Sequence, residues 1–225
     1  MAAIDLRGVT KRFGSVAALQ SLDLTVERGE IFGFLGPNGA GKSTAIDVML
    51  DFVRADAGTS RVLDLDSRTD SQEIRRRTGI LPDGFGVFPA MTGYDHLRFA
   101  AEAADSPDDP DALLERVGLT PSEGARLAED YSKGMAQRLT LAMALVGEPD
   151  LLILDEPTTG LDPAGARRMR QVIQEECDRG ATVFFSSHIL QQVEAVCDRV
   201  GILRQGSLVA VDTIDGLRDA AGSVG

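Results

Sequence analysis

Cysteine and aromatic residues are scarce in this chain of 225 residues, which contains two cysteines and no tryptophan. Cys177 and Cys197 stand alone, without the C-x-x-C spacing of a metal or redox motif. Two cysteines are too few for a disulfide-rich scaffold. Both positions fall in stretches with a helical pattern. We therefore expect two reduced, structural thiols in a cytoplasmic protein.

Long hydrophobic runs are missing as well. The longest ones, at residues 139–147 and 151–154, end well short of the ~20 apolar residues that cross a bilayer. No signal-peptide pattern is visible from Met1 to Thr10. The sequence thus predicts that any role at a membrane depends on a partner protein.

Basic residues are outnumbered by acidic ones. The chain has 23 lysines and arginines against 35 aspartates and glutamates, which gives a formal net charge of -12. The acidic residues are spread along the chain, which argues against nucleic acid as the main partner and against adhesion to an anionic membrane surface. The hydrophobic content of 43% is sufficient for the core of one large α/β domain.

A glycine-rich loop is the clearest motif in the sequence. It follows the apolar run Ile31 to Leu35, which is typical of a buried strand, and residues 44–50 after it have the composition of a helix. Glycines let the backbone wrap closely around an anion, and the loop amides join the positive end of the helix to form an anion site. The residues expected to bind nucleotide are Gly36, Pro37, Asn38, Gly39, Ala40, Gly41, Lys42, Ser43 and Thr44.

Two side chains of this loop have separate expected roles. Lys42 should reach the outer phosphates, and the hydroxyl of Ser43 should ligate Mg²⁺. A glycine turn without function is the alternative, but the flanking strand and helix favour phosphate binding. Kinases, switch GTPases and motor ATPases share this loop, so the loop by itself leaves the reaction open.

Apolar and alternating patterns predict the rest of the fold. We expect two antiparallel edge strands before the P-loop strand and a block of helices inserted between core strands. The predicted strands are 4–13, 18–26, 60–65, 151–154, 182–185, 200–203 and 207–211. A turn at 56–59 precedes the strand 60–65, and a further strand ends at 80–82. The predicted helices are 71–77, 92–104, 108–117, 134–145, 163–179 and one from 213, with a flexible loop at 83–86. Together they indicate an α/β protein with a P-loop NTPase core and mainly parallel sheet, an N-terminal antiparallel β subdomain and an inserted α-helical subdomain.

Three predicted strands end in residues that can act on a phosphate. Lys42 and Ser43 follow the first, Asp155 and Glu156 end the second, and His188 follows the third. Open α/β sheets bind ligands at the carboxyl ends of their strands. We expect Asp155 to hold Mg²⁺ and Glu156 to polarise a water aimed at the γ-phosphate. A lone histidine after a strand is more often structural, and His188 becomes a catalytic candidate because the other strand ends converge on phosphate.

These motifs, in this order, resemble those of the ATP-binding-cassette (ABC) ATPase subunits over almost the whole chain. The matching segments are Gly36 to Thr44 (Walker A), Tyr131 to Met135 (signature), Leu151 to Glu156 (Walker B), Thr159 to Asp162 (D-loop) and His188 (switch histidine). The resemblance implies a single ABC ATPase domain over residues 1–225. Its catalytic core would comprise residues 1–82 and 151–225, and a helical subdomain with the signature would span about 83–150.

The resemblance also implies roles for residues outside the loop. Phe13 matches the aromatic residue that stacks on adenine, although an isolated phenylalanine is more often part of a core. Asp83 falls at the Q-loop, beside the metal. Ser132 and Gly134 fall in the signature, which in this family binds the γ-phosphate of the ATP held by the opposite subunit. The implied partners are a second copy, in a head-to-tail homodimer with two ATP in the interface, and a transmembrane permease subunit.

Two positions depart from the family's commonest pattern. The signature reads Ser-Lys-Gly-Met rather than Ser-Gly-Gly-Gln, and Asp83 stands where glutamine is usual. Asp83 adds a negative charge near Mg²⁺ and phosphate, and its oxygens can still ligate the metal. Similar variants are common among subunits resembling bacterial drug and small-molecule exporters, so export is the expected direction.

The sequence thus predicts an ATPase subunit, with ATP and Mg²⁺ as ligands, that powers a separate membrane protein from the inner face of the membrane. Two alternatives stay open at this point. A soluble, non-transport cassette acting on nucleic acid or ribosomes is disfavoured by the single compact domain and the acidic charge. A P-loop small-molecule kinase would need an acceptor site, and it leaves the signature Ser132 to Gly134 unexplained.

Overall fold

Residues 1–84 and 86–216 are described by the computed structural model of the chain. In chain order the elements are β1 (Ala2–Phe13), β2 (Val16–Glu27), β3 (Ile31–Leu35), α1 (Lys42–Met49), β4 (Ala57–Val62), β5 (Leu65–Asp66), α2 (Ser71–Arg76), β6 (Thr78–Leu81), α3 (Gly93–Ala104), α4 (Pro110–Arg116), α5 (Pro121–Gly124), α6 (Lys133–Ala144), β7 (Leu151–Asp155), α7 (Pro163–Arg179), β8 (Thr182–Ser187), α8 (Leu190–Glu194), β9 (Arg199–Arg204) and β10 (Ser207–Thr213). A 3₁₀ turn, Ala128–Asp130, lies between α5 and α6. Phe85 of the predicted loop, and the predicted C-terminal helix beyond Gly216, lie outside the described residues.

Two sheets contain these strands. The first has the order β2-β1-β4-β5 and is antiparallel throughout. The second has the order β10-β9-β3-β8-β7-β6, in which β9 to β6 are parallel and only β10 runs against its neighbour. The predicted α/β class is confirmed, with its mainly parallel sheet and its antiparallel N-terminal sheet.

Two details of the predicted N-terminal strands were wrong. β1 is not an edge strand, because it pairs with β2 on one side and with β4 on the other. The single strand predicted at 60–65 is a hairpin of β4 and β5, joined at Leu63 and Asp64. Both joining residues have positive φ, 54° and 67°, which suits a two-residue hairpin turn. Neither is glycine, so the usual sign of such a turn is missing from the sequence.

The central strands β3, β7 and β8 are covered on both faces. Every residue of Leu151–Asp155 and of Thr182–Ser187 is buried, which explains their continuous apolar runs. Phe32 and Phe34 of β3 pack against Phe184 of β8, with ring centroids 6.0 and 5.2 Å apart. Strands packed in this way hold the residues at their carboxyl ends in fixed positions.

Helices α3 to α6 occupy the chain between β6 and β7, where the sequence predicts an inserted helical block. Thr92 and Asp95 form a capping box at the start of α3, Asp109 caps α4 and Ser132 caps α6. The short helices α5 and α8 were not predicted, because their four and five residues are too few for a periodic pattern.

No helix in the described part of the chain is long and apolar enough to cross a bilayer. Both cysteines are free thiols. Burial raises the pKa of the Cys197 thiol. It also raises the pKa of Cys177, which is less buried and whose Sγ donates a hydrogen bond to the carbonyl oxygen of Gly29, at 3.2 Å. Two packed, protonated thiols are consistent with the structural role expected for them.

Candidate active site

The glycine-rich loop connects the carboxyl end of β3 to the first turn of α1. Gly39 has φ 78°, and a Cβ there would meet nothing within 4 Å, so its backbone faces open space. Gly41 has φ 108°, and a Cβ there would lie 2.4 Å from the carbonyl oxygen of Ala18 in β2. The tight approach to β2 on one side and the open side at Gly39 shape a loop that can receive an anion.

Lys42 begins α1, and its side chain is buried, with 6% of its surface exposed. Its Nζ donates a hydrogen bond to the carbonyl oxygen of Gly36, at 2.8 Å. The same Nζ lies 3.3 Å from Oε1 of Glu156, although the geometry does not make a hydrogen bond. The ammonium group is therefore held above the loop by a carbonyl oxygen and a carboxylate.

Glu156 follows β7 directly and has φ 51°, in the left-handed region. For a residue with a Cβ that conformation costs roughly 1–2 kcal/mol, so surrounding contacts must hold it. The carboxylate is buried, and its Oε2 lies 2.9 Å from Nδ1 of His188 after β8. Because an ionised carboxylate only accepts, Nδ1 carries the proton in this contact. Oε1 is buried and makes no hydrogen bond among the described residues, and the Lys42 ammonium group is its nearby charge partner.

Asp155, the last residue of β7, is held by two hydroxyl groups. Ser43 donates a hydrogen bond to its Oδ2 at 2.7 Å, and Ser186 of β8 donates one to its Oδ1. A serine hydroxyl beside a carboxylate is a donor set that suits Mg²⁺, which prefers hard oxygen ligands and keeps waters and phosphate oxygens in its shell. Asp47 lies one helical turn after Ser43, and its pKa is raised by burial and then by the negative charge of Asp155.

Asp83 stands two residues after the end of β6, the strand that pairs with β7. Its side chain is exposed, in a turn with Gly84, whose φ is 69°. The parallel pairing places Asp83 at the same edge of the sheet as Asp155 and Glu156. Among the described residues, no cluster of three or more acidic, histidine or cysteine side chains is arranged to hold a metal by itself. Asp83 as a metal ligand stays a prediction.

Replacing Asp83 by glutamine tests that ligand directly. If Asp83 is a tolerated metal ligand, Asp83→Gln should keep or raise the ATPase rate, because it removes a negative charge beside the phosphates. Steady-state phosphate release measures the rate, and Asp178→Gln, an exposed substitution on α7, is the matched control. A rate more than about 10-fold lower than wild type, or 1.4 kcal/mol in the barrier, would show instead that the carboxylate has a specific catalytic role.

The remaining predicted residues lie on other elements. Phe13 ends β1 with half of its side chain exposed, and Nζ of Lys11 lies 5.2 Å from its ring centroid. Ser132 caps α6 by accepting a hydrogen bond from the backbone N–H of Met135, and Gly134 lies in the first turn of that helix. In the described ranges no hydrogen bond or ion pair joins Phe13, Ser132 or Gly134 to Lys42.

The first two turns of α6 instead contact the segment 157–161 of the same chain. Gln137 Nε2 donates a hydrogen bond to the carbonyl oxygen of Pro157, at 3.1 Å. The stem of Lys133 covers Gly160, where an added Cβ would lie 2.6 Å from Cδ of Lys133. A Cβ on Gly134 would lie 3.6 Å from Leu161. The signature and the D-loop of one chain are therefore packed together.

Sequence reasoning gave no role to three residues that the structure brings to the site. Ser186 lies beside Asp155 in the parallel register of β7 and β8, so the alignment of the two strand ends was the available signal. Asp47 is four residues after Ser43, and Gln137 is three after Gly134, so each shares a helix face with a predicted residue. Helix periodicity was the signal for both.

A glycine loop at a helix N-terminus, a buried lysine, and two carboxylates at the end of buried strand β7, which β8 separates from β3, define a P-loop nucleotide-binding protein. Residues 19–159 match the family model described as ABC transporter. The chain is 40% identical over 208 residues to an uncharacterized ABC transporter ATP-binding protein of Nostoc sp., covering 90% of this chain and 62% of that relative. It is 39% identical over 213 residues to a fluoroquinolones export ATP-binding protein of Mycobacterium tuberculosis, covering 93% of this chain and 70% of the relative.

Among solved structures, the chain is similar to an ATP binding subunit of an ABC transporter, with a TM-score of 0.87 and 28% identity. The match covers 98% of this chain and 93% of the other. The chain therefore belongs to the ABC transporter family, as an ATP-binding subunit and ATPase. The resemblance stated from the motifs is confirmed.

Proposed function

We propose that the chain hydrolyses MgATP to power export through a separate transmembrane subunit. The observation that carries this proposal is the environment of Glu156. Lys42 and His188 lie 3.3 and 2.9 Å from its two oxygens, and the buried Oε1 has no hydrogen-bond donor among the described residues. A carboxylate oxygen beside the phosphate loop that is held only by an ion pair with Lys42 supports a base that takes a proton from water once Lys42 turns to the phosphates.

The proposed reaction is attack of that water on the γ-phosphorus. A bond forms to the water oxygen, the bond to the β–γ bridging oxygen breaks, and the water proton passes to Glu156. Lys42 leaves the carboxylate for the outer phosphates, and His188 keeps the carboxylate oriented through Oε2. Mg²⁺, when bound by Ser43 and Asp155 with Asp83 nearby, would neutralise phosphate charge. Phe13 offers a half-exposed ring for the adenine base.

A second copy of the chain would complete the γ-phosphate site. Ser132 and Gly134 present the N-terminus of a 12-residue helix, which favours an anion. Within one chain this turn packs on segment 157–161 and has no hydrogen bond to Lys42 in the described ranges. The two halves of the phosphate site are thus both present but separate, which supports the head-to-tail homodimer.

A groove supports docking of the membrane partner. It measures about 1070 Å³ and lies between the core and the helical block, with α2 and β6 on one side and α3 and α6 on the other. Phe52 and Phe99 line it, and each exposes 58% of its side-chain surface to solvent. Two of the four exposed phenylalanine rings among the described residues lie on this one groove, with Arg75 over the ring of Phe52, which supports a contact surface. We assign it to a helix of the transmembrane subunit.

A charge placed in this groove should separate the chain from its partner. Ala103 of α3 lines the groove and is exposed, so Ala103→Glu should fold normally while adding bulk and charge that obstruct a docked helix. Co-purification in detergent with the membrane protein encoded by the neighbouring reading frame should be lost. Ala112→Glu, an exposed position on α4 away from the groove, is the matched control. If Ala103→Glu still co-purifies as well as the control does, this groove is not the docking site.

Export is the direction supported by the mycobacterial relative, which is named for fluoroquinolone export. The match spans 62% and 70% of the length of the two relatives. Which compound is carried is expected to depend on the transmembrane subunit. The described residues lack a membrane-spanning helix, and attachment to the groove would hold the chain at the cytoplasmic face of the membrane.

A further inference from the structure

Glu156 has a demanding backbone conformation, and backbone hydrogen bonds hold it on both sides. Its N–H donates a hydrogen bond to the carbonyl oxygen of Ser186, and its carbonyl oxygen accepts one from the N–H of Thr159, both at 3.2 Å. The next residue, Pro157, has no N–H to donate. The hydroxyl of Thr158 is buried without a hydrogen-bond partner among the described residues, so no side-chain hydrogen bond from Thr158 adds to these restraints.

Gln137 supplies a side-chain hydrogen bond to the residue that follows Glu156. Its Nε2 donates to the carbonyl oxygen of Pro157 at 3.1 Å, and its side chain is half-buried on α6. Gln137 stands one helical turn after Gly134, on the face that packs against segment 157–161. A carbonyl group fixed immediately after Glu156 limits the rotation of the backbone that directs the carboxylate.

We propose that Gln137 is a positioning residue for ATP hydrolysis, which acts by holding the Pro157 carbonyl so that the Glu156 carboxylate keeps its place beside His188 at the phosphate loop. The inference rests on the proposed function, because it gives Gln137 a role through the base of that reaction. The inference also connects the signature helix to the catalytic base of the same chain. Gln137 belongs to α6, whose first turn would bind the ATP held by the second subunit. Docking of that ATP would therefore stabilise the base of the same chain that offers the signature.

The test compares Gln137→Met with wild type. Methionine keeps the length of the side chain but cannot donate a hydrogen bond, so kcat should fall about 10-fold while KM for MgATP changes by less than about 2-fold. Gln174→Met, an exposed glutamine on α7, is the matched control and should keep the wild-type kcat. Thermal unfolding checks that each variant is folded. If Gln137→Met does not fold, Gln137→Glu serves instead, because a carboxylate of the same size cannot donate and should give the same loss of kcat.

A double variant separates positioning from general structural damage. In the Glu156→Gln background the positioned base is already absent, so adding Gln137→Met should slow single-turnover hydrolysis no further. A full second loss in that background, or a wild-type kcat in Gln137→Met, would overturn the inference while leaving the ATPase proposal standing. A wild-type chain that does not hydrolyse ATP would overturn the proposed function and this inference together.

Discussion

Lys42→Ala is expected to abolish ATP hydrolysis. The ammonium group is buried at the start of α1, and it is the cation nearest the loop that must balance several phosphate charges. Without it, the transition state loses a donor aimed at developing charge, which costs roughly 100-fold to 1000-fold in rate for one such group. Binding of MgATP should weaken strongly as well, because the same ammonium group contacts the phosphates in the ground state. Phosphate release and binding of a fluorescent ATP analogue measure the two effects.

The control for Lys42→Ala is the fold of the variant. Removing Lys42 leaves the buried carboxylate of Glu156 without the ammonium group 3.3 Å away, so some change in stability is expected. Circular dichroism and the thermal unfolding midpoint show whether the chain is still folded at the assay temperature. Unchanged turnover in a correctly folded Lys42→Ala variant would refute the phosphate-binding role of the loop.

Glu156→Gln should trap ATP and hold two chains together. The amide keeps the shape of the side chain but loses the basic oxygen, so chemistry should slow by roughly 100-fold or more. Both halves of the phosphate site stay intact, so ATP held at Lys42 can be capped by Ser132 and Gly134 of a second copy. Size-exclusion chromatography should show a shift from monomer to dimer with ATP and none with ADP. Glu175→Gln, an exposed change on α7, is the matched control and should not shift.

Ser132→Arg tests which surface closes this dimer. The bulky side chain occupies the place where the γ-phosphate should dock, so Glu156→Gln combined with Ser132→Arg should stay monomeric in ATP. Ser122→Arg, at an exposed position on α5, adds the same group away from the signature and should leave the dimer intact. A Glu156→Gln chain that stays monomeric with ATP, both alone and with its membrane partner, would contradict the cross-subunit site.

Elements whose boundaries have local chemical causes were predictable from the sequence. α7 was predicted with the bounds it has, because Asp162 caps it, Pro163 occupies its first turn and Gly180 ends it with φ 104°. The hairpin of β4 and β5 was missed because Leu63 and Asp64 take left-handed conformations without glycine. There the pairing of β4 with β1 overrides the local preference of the chain.

The candidate site was likewise predictable from the sequence only in part. The apolar strands predicted that Lys42, Glu156 and His188 would lie at one edge, because parallel strands end together. The proximity of Ser43 and Asp155 was predicted, since both were expected to hold Mg²⁺, but the direct hydrogen bond between their side chains, across 112 positions, was not. The ion pair of Glu156 Oε1 with Lys42 and the hydrogen bond from Gln137 depend on packing between elements that are distant in the sequence, which no local pattern encodes.

The contact between Lys133 and Gly160 places a flexible side chain over a strained backbone position. Gly160 has φ 80°, and an added Cβ would lie 2.6 and 2.8 Å from Cδ and Cε of the lysine stem. The lysine is exposed and can adopt another rotamer, so the positive φ is the stronger restriction on residue 160. An alanine at 160 is therefore expected to strain the D-loop whichever residue stands at 133.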